Sequence, residues 1–190
     1  MAVRVKLDGF RALAFIESGS CRLVSRKAHV YKSFPGLCQS LGHLPYEAVL
    51  DGEIVCLDRN GCPQFDSLFY RPGEPNFYAF DVPYLDGRDL RGTPLVERKR
   101  ILGESFRDRI RDCSTSAILR AAELICFGKS APAFLEGVVA KWKHGCYVSG
   151  DETSWVKIKN PAYSQAVDRW ERFQRKPPQD RVYAARKRSG

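Results

Sequence analysis

Alternating apolar and polar positions in the first part of the chain predict short β-strands. Residues 3–6 alternate strictly, and Asp8-Gly9 then marks a turn. Residues 11–16 and 21–25 read as two strands joined by a turn rich in serine and glycine. The pattern therefore predicts a first strand followed by an antiparallel hairpin. Further strands are predicted over residues 53–57, 77–82, 135–141 and 155–159, and the apolar residues 48–50 lead into Asp51-Gly52 before the first of them.

Three stretches instead show the apolar spacing of three and four residues that is typical of amphipathic helices. Residues 34–44 include Gly42 near the predicted end of the first helix. Residues 95–109 follow Pro94, and proline suits the first turn of a helix because its missing N–H has no partner there. Residues 114–125 form the third stretch.

The mixture of these elements predicts an α+β fold with mainly antiparallel strands. The length suits one domain over residues 1–160. Residues 161–190 are expected to form a short helix and then a basic tail, because Pro177-Pro178 interrupts any helical pattern.

Composition narrows the class of protein. Hydrophobic residues make up 44% of the 190 residues and aromatic residues 12%, which suits a packed core. No apolar run approaches the roughly 20 residues of a membrane-spanning helix, and charges interrupt the N-terminal segment where a signal peptide would be apolar. The seven cysteines form no CxxC pair. We therefore expect a cytoplasmic protein with no membrane partner.

Positive charge is concentrated at the C-terminal end. The formal net charge is +9, and residues 169–190 carry eight basic and two acidic side chains. Such a tail is typical of proteins that bind a polyanion, most often nucleic acid. A solvated tail that only aids solubility explains the same charge equally well, so charge alone leaves both interpretations open.

Charged side chains also interrupt the apolar strands. Within one strand, alternate residues point to the same face, so these charges can line one surface of a sheet. Lysine suits phosphate and carboxylates suit a divalent cation, although each strand taken alone could equally be the solvent face of a half-buried sheet. The residues concerned are Lys6 and Asp8, Glu53, Glu136 and Lys141, and Lys157 and Lys159.

A family resemblance accounts for these charges together. The run KLDGFR, from Lys6 to Arg11, resembles the KxDGxR signature of the covalent nucleotidyltransferases, which comprise ATP-dependent DNA ligases, RNA ligases and mRNA capping enzymes. Four further family motifs follow in the expected order. Their amino-acid sequences are most similar to those of bacterial ATP-dependent DNA ligases, especially the ligase module of end-joining enzymes. They are LDGE at 50–53, FYAFD at 77–81, EGVVAK at 136–141 and WVKIK at 155–159.

The resemblance implies an antiparallel-sheet nucleotidyltransferase (ATP-grasp-like) adenylation domain that uses ATP and Mg²⁺. It implies nicked double-stranded DNA as substrate, with AMP carried on Lys6 before its transfer to a 5′-phosphate. The implied catalytic residues are Lys6, Asp8, Lys157 and Lys159; the implied nucleotide-binding residues are Arg11, Arg26, Glu53, Phe80 and Lys141; Glu136 would hold the metal; and Arg26, Arg186, Lys187 and Arg188 would bind nucleic acid.

The sequence departs from the family pattern at Arg4, where a Glu or Thr that helps to read adenine is usual. The OB-fold domain that usually follows is expected to be absent, so another protein or domain would supply its role. Two alternatives stay open beside a DNA ligase. One is an RNA ligase or GTP-using capping-type enzyme of the same fold, and the other is a non-catalytic nucleic-acid-binding module.

Overall fold

The structure of the protein is a computed structural model that describes residues 1–70, 73–111, 136–148, 155–161 and 163, with the backbone alone for 107–111. The strands described there are β1 (Ala2–Lys6), β2 (Phe10–Glu17), β3 (Ser20–Ser25), β4 (Ala48–Cys56), β5 (Pro75–Leu85), β6 (Arg88–Asp89), β7 (Gly137–Lys141) and β8 (Trp155–Lys159), and the helices are α1 (Pro35–Gly42), α2 (Phe65–Tyr70) and α3 (Leu95–Arg111).

A three-stranded antiparallel sheet has the order β1-β7-β8. Lys6 lies opposite Gly137, which lies opposite Lys159, and Val139 lies between Arg4 and Lys157 in the same way. Directly opposite residues project from the same face of a sheet. This sheet therefore carries its lysines on one face, which confirms the expectation from the alternating charges.

The second sheet is antiparallel, with the order β3-β2-β4-β5-β6. Arg11 lies opposite Glu53, which lies opposite Tyr78. β4 runs unbroken through Asp51-Gly52, where the sequence pattern suggested two apolar runs, and its register with β5 is irregular there. That irregularity is typical of a β-bulge, which bends a strand and redirects its side chains.

The hydrophobic core lies on the opposite face of the five-stranded sheet, under the helices. Alternate residues of β2 and β4 point to this face and are buried. The charged residues of the same strands occupy the positions between them and point to the other face. Leu37 and Leu41 of α1 and Leu102 and Phe106 of α3 cover this face. The core residues that the strands contribute include Ala12, Ala14, Leu50, Ile54, Phe77 and Ala79.

The charged faces of the two sheets point toward each other. The Arg4 guanidinium carbon lies 3.7 Å from the centre of the Phe80 ring, so β1 contacts β5. The Arg11 guanidinium carbon lies 5.0 Å from the centre of the Trp155 ring, so β2 contacts β8. The cleft between the sheets therefore collects the charged residues that the sequence placed on separate strands.

The structure confirms the predicted strands and two predicted helices, with shifts of a few residues at their ends. The sequence pattern did not predict α2 or β6, because each is too short to establish a period. The helix predicted over residues 114–125 and the one after residue 161 lie outside the described residues. Within the described ranges, no helix combines the length and apolar character that crossing a bilayer requires.

Gly52 tests the close packing at the β4 bulge. A Cβ at this position would lie 2.5 Å from the Phe77 ring, so we expect Gly52→Ala to lower the free energy of unfolding by about 1–3 kcal/mol. Urea denaturation measures the loss. The control is Gly36→Ala in α1, where a Cβ would meet nothing within 4 Å. Equal stability of the two variants would contradict the tight packing of β4 on β5.

Candidate functional site

Lys6 ends β1 and forms an ion pair with Glu136, which directly precedes β7. The Lys6 side chain is 23% exposed, so its amine can reach a ligand in the cleft. Gly137 has a φ of 150°, and a Cβ there would lie 2.1 Å from the Ile158 carbonyl oxygen. Only glycine therefore lets β8 approach this closely and hold Glu136 beside Lys6.

Asp8 is buried just after Lys6 and accepts a 2.5 Å hydrogen bond from the Tyr163 hydroxyl. Burial, and then the nearby charge of Glu136, raise the pKa of Tyr163 to about 12. Tyr163 therefore stays a hydrogen-bond donor at neutral pH. Its contact fixes the loop between β1 and β2 against the segment that follows β8.

Asp51 is fully buried in β4 and is held by two partners. Arg11 donates two hydrogen bonds to its carboxylate, from Nε at 3.1 Å and from Nη2 at 2.7 Å. The Tyr147 hydroxyl donates a third at 3.0 Å. This bidentate contact fixes the guanidinium of Arg11 in one orientation in the cleft.

Asp81 lies opposite Asp51 in β5 and is also fully buried. Arg98 of α3 donates to both of its carboxylate oxygens, at 2.7 and 3.1 Å. The Lys141 amine lies 3.6 Å from the same carboxylate. Burial lowers the pKa of Lys141 to about 7, although the charges of Asp81 and Asp51 offset part of that effect.

Aromatic rings and cations alternate in the cleft. The Lys141 amine lies 3.7 Å from the centre of the Trp155 ring and 4.9 Å from that of Phe80. Arg4 covers Phe80, as described above, and Phe80 itself is 1% exposed. Cation–π contacts at such distances are attractive, and more so when the cation is desolvated.

Glu53 lies among three cations of the cleft. Burial raises its pKa to about 7, although the positive charges of Arg4, Lys6 and Arg11 oppose that rise. The carboxyl group can therefore change its protonation state near neutral pH, and it can donate a hydrogen bond below that pH.

Lys157 and Lys159 lie on the exposed side of the cleft, on β8. Burial, followed by repulsion from Lys6, Arg11 and Arg26, lowers the pKa of Lys157. A phosphate group near Lys157 would be attracted by the cations that surround it. Arg186, Lys187 and Arg188 lie outside the described residues.

A magnesium ion is implied by the resemblance, and the available ligands fit a loosely held ion. No group of three or more His, Cys, Asp or Glu side chains suited to a metal occurs in the part of the chain that the structure describes. Mg²⁺ is commonly held by one or two carboxylates together with water and substrate phosphates. Glu136, beside Lys6, is the carboxylate suited to that role.

The structure brings seven of the residues that the resemblance implied to the space between the sheets, namely Lys6, Arg11, Glu53, Phe80, Glu136, Lys141 and Lys157. Asp8 is buried against Tyr163, Lys159 lies opposite Gly137 on β8, and Arg26 acts on Lys157 through its charge.

The structure also adds residues that sequence reasoning did not assign to the site. Asp81 had a visible signal, since it is an acidic residue inside a predicted apolar strand, whereas Asp51 fell between two predicted apolar runs. The others were not distinguishable in sequence because only the fold brings them to the cleft: Arg98, Tyr147, Trp155 and Tyr163.

The chain is similar in sequence to one family of known proteins. Residues 1–159 match the family model of the ATP dependent DNA ligase domain. The chain is 35% identical over 166 residues to the multifunctional non-homologous end joining protein LigD of Pseudomonas aeruginosa, covering 83% of this chain and 20% of that protein. It is 34% identical over 169 residues to LigD of Mycobacterium tuberculosis, covering 82% of this chain and 21% of that protein.

Solved structures of DNA ligases also match the fold of this chain. A mycobacterial DNA ligase D complexed with ATP and MES matches with a TM-score of 0.68 and 35% identity, covering 83% of this chain and 54% of that one. The ligase domain of LigD from M. tuberculosis matches with a TM-score of 0.68 and 32% identity, covering 83% and 53%. The chain spans about a fifth of the length of the curated relatives named above.

Arg98→Met tests the buried ion pair with Asp81. The substitution leaves a fully buried carboxylate without its main partner, so we expect a loss of about 3–5 kcal/mol in the free energy of unfolding. The control is Arg100→Met on the same helix, which removes only exposed ion pairs with Glu97 and Glu104 and should cost less than about 1 kcal/mol. Similar losses would contradict the role given to Arg98.

Glu53→Gln tests the raised pKa of Glu53. The folded protein holds this proton up to about pH 7, whereas the unfolded chain releases it near pH 4.5, so the free energy of unfolding should fall as pH rises between these values. Urea denaturation at pH 5 and pH 8 should show that Glu53→Gln removes a fall on the order of 3 kcal/mol. The exposed Glu17→Gln is the control, and parallel pH profiles for Glu53→Gln and wild type would refute the raised pKa.

Proposed function

Because the chain belongs to the ATP-dependent DNA ligase family, we propose that it forms a lysyl-AMP intermediate on Lys6 and transfers AMP to a 5′-phosphate during strand sealing. The observation that carries the proposal is the position of Lys6, which is partly exposed in a cleft and ion-paired with Glu136. Lys157 faces the same space from β8. An amine so placed, among cations that attract phosphate, suits nucleophilic attack on a nucleotide.

In the first step, Lys6 leaves its ion pair with Glu136 by giving up one proton to solvent, and the neutral amine then gives its electron pair to the α-phosphorus of ATP. A nitrogen–phosphorus bond forms as the bond from the α-phosphorus to the bridging oxygen breaks, and that oxygen leaves with pyrophosphate. The nitrogen then loses a second proton to solvent or to a nearby base. Lys157 and Lys159 would stabilise the negative charge that develops on the phosphoryl oxygens.

The nucleotide would lie between the two sheets. Arg11 and Glu53 lie opposite each other in the five-stranded sheet, where they would contact the ribose. Phe80 would contact the adenine, and Lys141, which lies against the same ring, would fix its position. Glu136 would hold Mg²⁺, which supplies positive charge to the phosphate oxygens when it is bound.

In the later steps, the 5′-phosphate at a DNA nick displaces Lys6 from the AMP phosphorus, and the 3′-hydroxyl then displaces AMP to seal the strand. Asp8 would keep Lys6 in position through the loop that Tyr163 fixes. Arg26 and the tail residues Arg186, Lys187 and Arg188 would contact the phosphate backbone, which predicts binding that weakens as salt rises. We place this chemistry in the cytoplasm, on nicked double-stranded DNA.

Labelling with ATP that carries radioactive α-phosphate tests the first step. With Mg²⁺ present, we expect a covalent, acid-labile protein label that Lys6→Ala abolishes, since the phosphoramidate bond forms on that amine. Lys32→Ala removes an exposed lysine and is the matched control, which should keep the label. An equal label in Lys6→Ala and wild type would contradict the assignment of the nucleophile.

Sealing of nicked DNA and nicked RNA tests the later steps and the alternatives. Sealing of DNA that depends on Lys6 supports the proposal, and preference for nicked RNA would favour an RNA ligase. A label without sealing would show that another domain or protein is required. Binding of DNA that survives Lys6→Ala, with neither label nor sealing of a pre-adenylylated nick, would favour a non-catalytic nucleic-acid-binding module.

A further inference from the structure

We propose that Arg98 is a positioning residue for the bound nucleotide, and that it acts by keeping the Lys141 amine available to that ligand. Arg98 holds the carboxylate of Asp81 from α3, so that Lys141 does not close onto it. The inference rests on the proposed function, because it requires the nucleotide to lie beside Phe80. It adds a residue that the proposed mechanism does not use and leaves the nucleophile unchanged.

Asp81 is the carboxylate that Lys141 would otherwise bind directly. Both side chains are buried, and Lys141 Nζ lies 3.6 Å from Asp81 Oδ2, an ion-pair contact that is too long for a hydrogen bond. Opposite charges attract each other more strongly in a protein interior than in water. A small movement of the amine would therefore turn this contact into a direct hydrogen bond.

Arg98 opposes that closure because its guanidinium engages both oxygens of Asp81. Nε donates to Oδ1 at 2.7 Å, and Nη2 donates to Oδ2 at 3.1 Å. The Val82 backbone N–H donates to Oδ1 at 3.0 Å and restrains the carboxylate further. A planar guanidinium fork fixes the orientation of a carboxylate, whereas the point charge of a lysine does not.

The second carboxylate near Lys141 is engaged in a similar way. The charges of Asp81 and Asp51 oppose the fall in the pKa of Lys141 that burial causes. Asp51 accepts two hydrogen bonds from Arg11 and one from the Tyr147 hydroxyl. Within the described ranges, the Lys141 amine accordingly makes no hydrogen bond, although the residue is only 2% exposed.

The amine is held where a ligand between the sheets would meet it. It lies 3.7 Å from the centre of the Trp155 ring and 4.9 Å from that of Phe80. Contacts with aromatic faces attract the cation without using its N–H groups in conventional hydrogen bonds. An acceptor on the nucleotide would pair with those groups and recover part of the cost of burial. Loss of the Arg98 fork would instead let Asp81 take the amine.

Equilibrium binding of ATP to the full chain tests the inference through a double-mutant cycle. Arg98→Lys keeps the charge but loses the fork, so we expect it to weaken ATP binding by about fivefold or more. In the Lys141→Met background, the same substitution should change the affinity by less than about twofold, because no amine is left for Asp81 to take. Urea denaturation checks that each variant is folded under the conditions of the assay.

Arg100→Lys on the same helix is the matched control, since it alters only exposed ion pairs with Glu97 and Glu104, and it should leave ATP binding unchanged. Arg98→Met combined with Asp81→Asn guards against a folding defect, because it removes both charges of the buried pair together. Lys141 then has no carboxylate at this position to close onto, so ATP affinity should stay within about twofold of wild type. A larger loss of affinity in this folded double variant would contradict the inference.

Equal weakening by Arg98→Lys with and without Lys141 would reveal a general effect on the fold and would overturn the inference, as would no weakening at all. Coupled weakening in a chain that ATP labels on Lys6 supports both the inference and the proposed function. Coupled weakening without any label supports the inference and contradicts the proposed catalysis. Failure of wild type to bind ATP would overturn both.

Discussion

Two buried carboxylates, Asp51 and Asp81, lie opposite each other where β4 and β5 pair irregularly. Two negative charges this close in a protein interior are tolerated only if cations and hydrogen bonds compensate both of them. Arg11 and Tyr147 compensate the first, and Arg98 and Lys141 the second. These partners come from both sheets, from α3 and from the loop after β7, so one electrostatic requirement joins the parts of the cleft.

The cleft carries more positive than negative charge on its accessible side. Burial, and then repulsion from Lys6, Arg11 and Arg26, lowers the pKa of Lys157. Glu136 offsets part of that charge through its ion pair with Lys6. A site in which several cations lie close together and are partly desolvated is suited to a ligand that supplies negative charge.

Sequence patterns predicted the strands of both sheets because charged and apolar residues alternate in them with a period of two. The order of the strands within each sheet could not be predicted from sequence patterns, because pairing of β1 with β7 joins segments more than a hundred residues apart. The resemblance implied that Lys6, Glu53 and Glu136 are site residues. It gave no role to Arg98, because the Asp81 that it neutralises lies seventeen positions earlier and meets it only across α3 and β5.

The sequence by itself determined the class of fold, the strand that carries Lys6 and the set of short motifs that marks the family, because these depend on local alternation and spacing. Only the tertiary structure decided that Arg4 covers Phe80 and that Lys141 lies between Phe80 and Trp155. The packing of the two sheets depends on two conditions. The apolar side of the five-stranded sheet has to be buried under the helices, and Asp51 and Asp81 have to be compensated at the same time. Neither condition can be read from a single segment.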